Sequence, residues 1–288
     1  MKNTSGKIKI GPFVCTMPSL IGIIVFWFVP FVISFGYTMV KSSSDSSFVG
    51  MDNFRNVFGS KTFTQAAINT IIFVVAAVLL EFVFSTAIAI GVKNLKKYRG
   101  AVLAVLIFPM AIPSVSISYF WNLLFSENGF VRLLLFKSGH PEIDITSGPV
   151  TMVIALFIFL WKYTGFCASL MFTGLQDIPQ AYYEVAEIEG LGKIKQLFSV
   201  TLVYLRPSII LVTILTFINS FKVYREIYLL YGSYPSSYVY MLQNYMNNLF
   251  ESGNIVKLST SAWIILAALL IPIVVTLYLQ NKFSKDFY

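Results

Sequence analysis

Residues 68–99 read INTIIFVVAAVLLEFVFSTAIAIGVKNLKKYR. An apolar run with a single charge, Glu81, is followed at once by Lys93, Lys96, Lys97 and Arg99. A bilayer core of about 30 Å is crossed by roughly 20 apolar residues in a helix. Only a helix or a closed barrel satisfies the backbone in hydrocarbon. The run therefore reads as a membrane span, and the basic cluster after it marks a cytoplasmic end. Working outward, five more stretches qualify: Met17–Val40, Ala101–Phe125, Val150–Thr173, Val203–Lys222 and Thr260–Gln280, beside Ile68–Val92. None alternates with period two, which excludes a barrel. The expected fold class is an all-α membrane protein of six transmembrane helices.

Composition agrees. The chain is 57% hydrophobic and 12% charged, against about 25% charged in soluble domains. A net charge of +8 suits basic loops held against anionic membrane lipid and requires no nucleic acid. Cys15 and Cys167 lie in or beside apolar stretches and make no disulfide framework. His140 is the single histidine, and no cluster has metal-ligand spacing. The first span follows Lys2, Lys7 and Lys9 like a signal peptide, but it is too long and lacks a small-x-small cleavage pattern.

Basic residues set orientation. The N-terminus, second loop, fourth loop and C-terminus carry twelve (Lys2, Lys7, Lys9, Lys93, Lys96, Lys97, Arg99, Lys193, Lys195, Arg206, Lys282, Lys285). The other side carries eight over longer loops: Lys41, Arg55, Lys61, Arg132, Lys137, Lys222, Arg225 and Lys257. Both termini and the even-numbered loops are expected in the cytoplasm.

The fourth loop, 174–202, has a pattern of its own. Asp177 and Gln180 have capping-box spacing, Pro179 fits a first turn, and Gly190 and Gly192 stop the helix. A second amphipathic stretch, Lys193–Val200, returns to the membrane. The first helix displays Tyr182, Tyr183, Glu184 and Glu187 around a small residue, Ala186, and suits docking into another protein's groove. The plainer alternative, an interfacial helix, conflicts with its acidic face.

Glu184-Val185-Ala186, three residues, Gly190, nine residues, Val200-Thr201-Leu202 resembles the "EAA" signature of binding-protein-dependent ABC transporter permeases. Val185, Val200 and Val203 depart from its Ala, Ile and Pro. Gly50-Met51-Asp52-Asn53-Phe54, Asn69-Thr70, Pro109 through Pro113, Trp121 to Gly129 and Gly174-Leu175-Gln176-Asp177-Ile178-Pro179 extend the resemblance to about residues 12–283. These segments are most similar to the sugar-uptake branch (maltose-type and glycerol-phosphate-type), although Tyr231-Gly232-Ser233-Tyr234-Pro235 replaces that branch's usual turn after the fifth span.

The resemblance implies a type I importer permease fold, divided into 1–64 (tail, first helix, external loop) and 65–283 (five-helix core with coupling loop 174–202). It implies a multi-pass subunit of a bacterial or archaeal cytoplasmic membrane that imports a carbohydrate, meaning a sugar, oligosaccharide or polyol. Its partners would be two ATPase subunits, a second and different permease, and an extracytoplasmic solute-binding protein. Glu184, Val185, Ala186, Gly190, Tyr183 and Glu187 would couple it to the ATPase. The sequence has no G-x-x-x-x-G-K-[ST] loop, so this chain would bind no cofactor, with ATP and Mg on the partner.

Within the spans, Glu81 and Lys162 are intramembrane charges, functional by default; the plainer alternative is that they pair, snorkel or meet a partner subunit. Asn122, Trp161, Tyr163, Asn219 and Tyr224 are candidates to line a sugar path, or aromatic and amide anchors at the interface. Two other classes stay open. A gradient-driven secondary transporter or channel would carry several intramembrane carboxylates, where the spans show Glu81 and little else. A membrane enzyme would need a clustered catalytic set, which scattered carboxylates and one histidine do not supply.

Overall fold

The computed structural model describes residues 10–95, 97–126, 128–140 and 144–285. Lys2, Lys7, Lys9 and Lys96, and the side chains of Lys282 and Lys285, lie outside the described residues. Among the described residues there are helices, loops and one isolated bridge, Val40 to Phe48, with no strand.

The helices are α1 (Cys15–Thr38), α2 (Asp52–Phe58), α3 (Lys61–Asn94), α4 (Arg99–Ala111), α5 (Ser114–Phe125), α6 (Phe130–Lys137), α7 (Val150–Gln176), α8 (Gln180–Ile188), α9 (Lys193–Gln196), α10 (Arg206–Tyr231), α11 (Leu242–Glu251) and α12 (Ile255–Lys285). Helices α1, α3, α7 and α10, and the Ile255–Pro272 part of α12, are each long and apolar enough to cross a membrane. The expected third crossing is not straight: α4 and the segment Ser114–Lys137 meet at 91°. The sequence reads 101–125 as one span. The break falls at Ile112, which is extended (ψ 131), because Pro113 disfavours helical geometry in the residue before it and offers no N–H of its own.

Other boundaries move as well: α3 begins at Lys61, ahead of Ile68, and α12 at Ile255, ahead of Thr260. The fifth crossing runs to Tyr231, well past Lys222, because a 3-10 turn at Phe221–Val223 carries the helix onward until Gly232 ends it. Lys222 and Arg225 therefore sit on a helix and not in a loop. Its start moves from Val203 to Arg206, where Pro207 occupies the first turn and its missing N–H costs nothing.

The chain forms two compact units. One is built on α1, α2 and residues 249–268. In it Trp263 donates to Ser34 Oγ at 3.1 Å, with its ring 4.5 Å from that of Phe31. Asn53 donates to the carbonyls of Thr38 and Val40, at 3.0 and 2.8 Å. That gives the Gly50–Phe54 segment its role: Asn53 satisfies carbonyls left open where α1 ends.

The other unit holds residues 61–248 and those from 269 onward. Its centre is α7, packed on α3, α4 and α10. Helix α3 turns mostly small and polar groups inward (Ala66, Asn69, Ala77, Glu81, Ser85, Ala89), together with the ring of Phe73, and large aliphatics outward (Ile71, Ile72, Val75, Leu79, Val83). The inward positions recur at three- and four-residue steps, the helical period. Of the small residues near the end of α3, Ser85 and Ala89 are buried, whereas Ala87 and Gly91 lie on the exposed face. The tightest crossing is α7 on α4, where a Cβ on Gly165 would run into the carbonyl of Leu106.

That contact is backbone against backbone, so no rotamer relieves it. Gly165→Val is expected to cost about 1–3 kcal/mol through overpacking and to lower the melting temperature of the detergent-solubilised protein. An unchanged melting curve would refute the close approach.

Candidate functional site

The loop between α7 and α10 is a folded element. Pro179, extended (ψ 136), precedes α8 as its N-cap and makes no side-chain cap bond. The capping box expected from Asp177 and Gln180 is absent: α7 continues to Gln176 and holds Asp177 in helical geometry as its own C-cap. The other end follows the sequence. Gly190 has φ +74, Leu191 N–H donates to Ala186 O at 2.9 Å and Gly190 N–H to Glu187 O at 3.0 Å. These two bonds and the left-handed glycine are a Schellman ending.

Ala186, 3% exposed, is the foot of α8, packed with Ala89 and Val92 of α3, Leu175 of α7, Ile178 and Val200. Tyr183 adds a hydroxyl contact to Thr201 Oγ1 at 3.1 Å, and Lys93 Nζ lies 4.6 Å from the centre of its ring. The same ammonium donates to Leu175 O at 3.4 Å. A cavity of about 540 Å³ remains among Lys93, Asn94, Gln180, Tyr183, Lys193 and Gln196. The opposite face of α8 is bare. Glu184, Val185 and Ile188 are exposed, Ile188 at 87%, and Ile194 and Phe198 extend the patch. Glu187 is exposed too, paired with Lys193 at 3.0 Å. The helix is anchored by one side while a mixed acidic and apolar ridge has no partner among the described residues.

The intramembrane charges do not pair with each other. Glu81 accepts from Thr164 Oγ1 at 3.1 Å, within α3 and α7. Lys162 Nζ donates to Glu226 Oε1 at 2.6 Å and to Ser114 Oγ at 2.9 Å. Lys162 and Glu226 are 7% and 4% exposed. Glu226 escapes a reading that ends the fifth span at Lys222, so "Glu81 and little else" is wrong. A signal was present: Val212, Thr216, Asn219, Val223, Glu226 and Ile227 continue one helical stripe through Lys222, and all are buried.

The path candidates separate. Trp161 is half-buried and edge-on to Trp121, with centroids 5.3 Å apart; Asn122, next to Trp121 in the chain, is half-buried. Tyr163 is buried in another cluster with Phe73, Phe159 and Val223. Asn219 is buried and accepts from Lys222 Nζ at 3.1 Å, and Tyr224 packs near Tyr228.

At the far end of α3, Asn69 donates to Ser237 O and Tyr240 O at 2.6 and 2.9 Å, and Leu242 N–H donates to Thr70 Oγ1 at 3.0 Å. Asn248 donates to Ser233 O and Tyr240 Oη. The Asn69-Thr70 pair thus fastens residues 237–242 to α3, while Asn248 of α11 holds Ser233 of the altered turn 231–235. In the loop before α7, Asp144 accepts from Thr146 and Ser147, and these bonds hold its carboxyl below the usual range.

Residues 85–287 match the model of the binding-protein-dependent transport system inner membrane component family. The chain belongs to that family. This permease is 28% identical over 234 residues to the trehalose/maltose transport system permease protein MalF of Thermococcus litoralis, covering 80% of this chain and 79% of that protein. Its fold is similar to that of a chain in the crystal structure of a bacterial ABC transporter involved in the import of the acidic polysaccharide alginate. The TM-score is 0.77 at 21% identity, covering 95% of this chain and 94% of that one. A second structure, the alginate transporter in complex with alginate pentasaccharide-bound periplasmic protein, matches with a TM-score of 0.75 at 22% identity, covering 92% and 91%. The all-helical importer-permease fold expected from the sequence is the fold observed.

Asn69→Ala removes the two bonds this side chain donates and the one it accepts from Gln65 Nε2, and leaves two carbonyls unpaired at roughly 1–3 kcal/mol. It is expected to raise amide exchange across 233–242 while α8 keeps its protection; equal exchange in both proteins would refute the fastening.

Proposed function

We propose that this permease forms part of the translocation pathway of an ATP-driven importer for a carbohydrate, delivered by an extracytoplasmic binding protein. The observation that carries the reading is the exposed ridge of α8. A folded loop that buries Ala186 and Tyr183 against α3 and α7 while leaving Glu184, Val185 and Ile188 uncovered is built to be held by another protein. The ATPase is that protein: ATP is hydrolysed there, and Glu184 meets a basic group in its groove. Tyr183 fixes the ridge to the core through Thr201 and Lys93, Glu187 pairs at the surface with Lys193 of α9, and Gly190 fixes its end.

The loops holding Lys93, Lys97, Arg99, Lys193 and Lys195 face the cytoplasm, as do both termini, following the density of basic residues. The segment held by Asn69, and the loop around Asp144, face outward. Closure of an ATPase pair pulls on α8, and the packed spans rock as rigid bodies between two accessible forms. The second permease of the pair is a different chain. A carbohydrate as cargo rests on the likeness to MalF and on the aromatic and amide groups of the outer half: Trp161 and Tyr224 offer ring faces, Asn122 and Asn219 offer amides.

Glu184→Ala and Gly190→Val are expected to insert normally and to lower transport about tenfold or more relative to ATP hydrolysis, a coupling change of ordinary size. Normal transport by both variants would overturn the role of α8. Gentle detergent extraction followed by mass spectrometry should find an ATPase and a second permease with this chain. Isolation of this chain alone in every mild detergent would favour the gradient-driven alternative.

A further inference from the structure

The buried pair Lys162–Glu226 lies where three separate chain segments meet. Lys162 is mid-way along α7, Glu226 is near the far end of α10, and Ser114 is the first residue of α5, immediately after the 91° break. The ammonium bonds both partners, at 2.6 and 2.9 Å, and lies 5.4 Å from the ring centre of Tyr163. Helix α5 packs on α10 along the same face, and Ser118, one turn beyond Ser114, is buried there.

A charge pair removed from water holds only while its geometry is kept, and separating the partners exposes both to a low-dielectric medium. A hinge beside such a pair has two well-defined positions and few between. We infer that Lys162 and Glu226, with Ser114, are positioning residues that hold the outer half of the broken third span against the fourth and fifth spans, and that this contact must part for the permease to change its accessible side. The inference rests on the transport reading above. The pair touches no cargo in this role; it sets how often the outer helices separate without one. Its placement also accounts for a lysine and a glutamate in spans that a neutral pathway would not require.

The test uses Ser118→Cys in a chain carrying Cys15→Ala and Cys167→Ala, reconstituted in lipid nanodiscs with its co-purified partners. Two readouts are taken: the rate of labelling of position 118 by a water-soluble maleimide, and ATP hydrolysis without binding protein. Lys162→Gln and Glu226→Gln, each alone, should raise both by at least about fivefold, the lower range of coupling effects. The reversed pair Lys162→Glu/Glu226→Lys should bring both back toward the parent. Unchanged labelling in both single variants would overturn the inference. So would loss of the folded protein in the single variants and in the reversed pair alike, since that assigns the ion pair to folding alone. Failure of the importer reading is separable, because it would appear as absence of an ATPase in the parent preparation, while maleimide labelling of the parent and variants still reports on the contact.

Discussion

Hydrocarbon offers no hydrogen bonds, so a chain that enters it must carry its own. The interruptions at 112–113 and at 205 are accordingly short and immediately repaired. After α4, Ile112 N–H reaches back to Pro109 O, and Ile117 N–H takes Pro113 O, so the ladder resumes within a turn. Before α10 the helix passes through a π-helical stretch at 197–201, and Leu205 bridges it, donating to Thr201 O and accepting from Ile209 N–H. Pro113 and Pro207 stand at helix starts, where an N–H has no partner to lose.

The same medium explains how side chains are distributed around α7. Four consecutive residues serve different neighbours: Trp161 meets Trp121 of α5, Lys162 meets Glu226 of α10, Tyr163 joins the cluster with Phe73, and Thr164 bonds Glu81 of α3. Consecutive side chains on a helix point about 100° apart, so a central helix surrounded by others can address each with one residue. In lipid, where apolar contact alone does not favour helix over tail, such hydrogen bonds and close backbone approaches decide which helices associate. Gly165 against Leu106 follows directly in the chain.

Much of this was legible from the residues. The span around Glu81, the helix–glycine–helix order of the fourth loop and the left-handed Gly190 all follow from local rules about apolar length and chain termination. The missed features depend on what lies elsewhere in the fold. Asp177 has the composition of a cap, but the preceding helix claimed it first. The charge of Lys222 resembles the end of a crossing, although the buried stripe continues past it to Glu226. Pairing Lys162 with Glu81 was natural while these were the only visible charges. Which carboxylate a lysine meets is set by helix packing, and a single sequence carries little of that.

Helix α3 is unbroken over 34 residues, about 51 Å at the usual rise. Near one end Asn69 and Thr70 grip the segment leading into α11; at the other Lys93 lies under Tyr183 of α8. The two attachments are locked in phase. A single inserted residue between them would turn one end by about 100° relative to the other, and both could no longer be made together. The length of α3, as much as any residue on it, is therefore a component with a tolerance: it keeps time between the two faces of the protein, as a shaft of fixed pitch does between two gears.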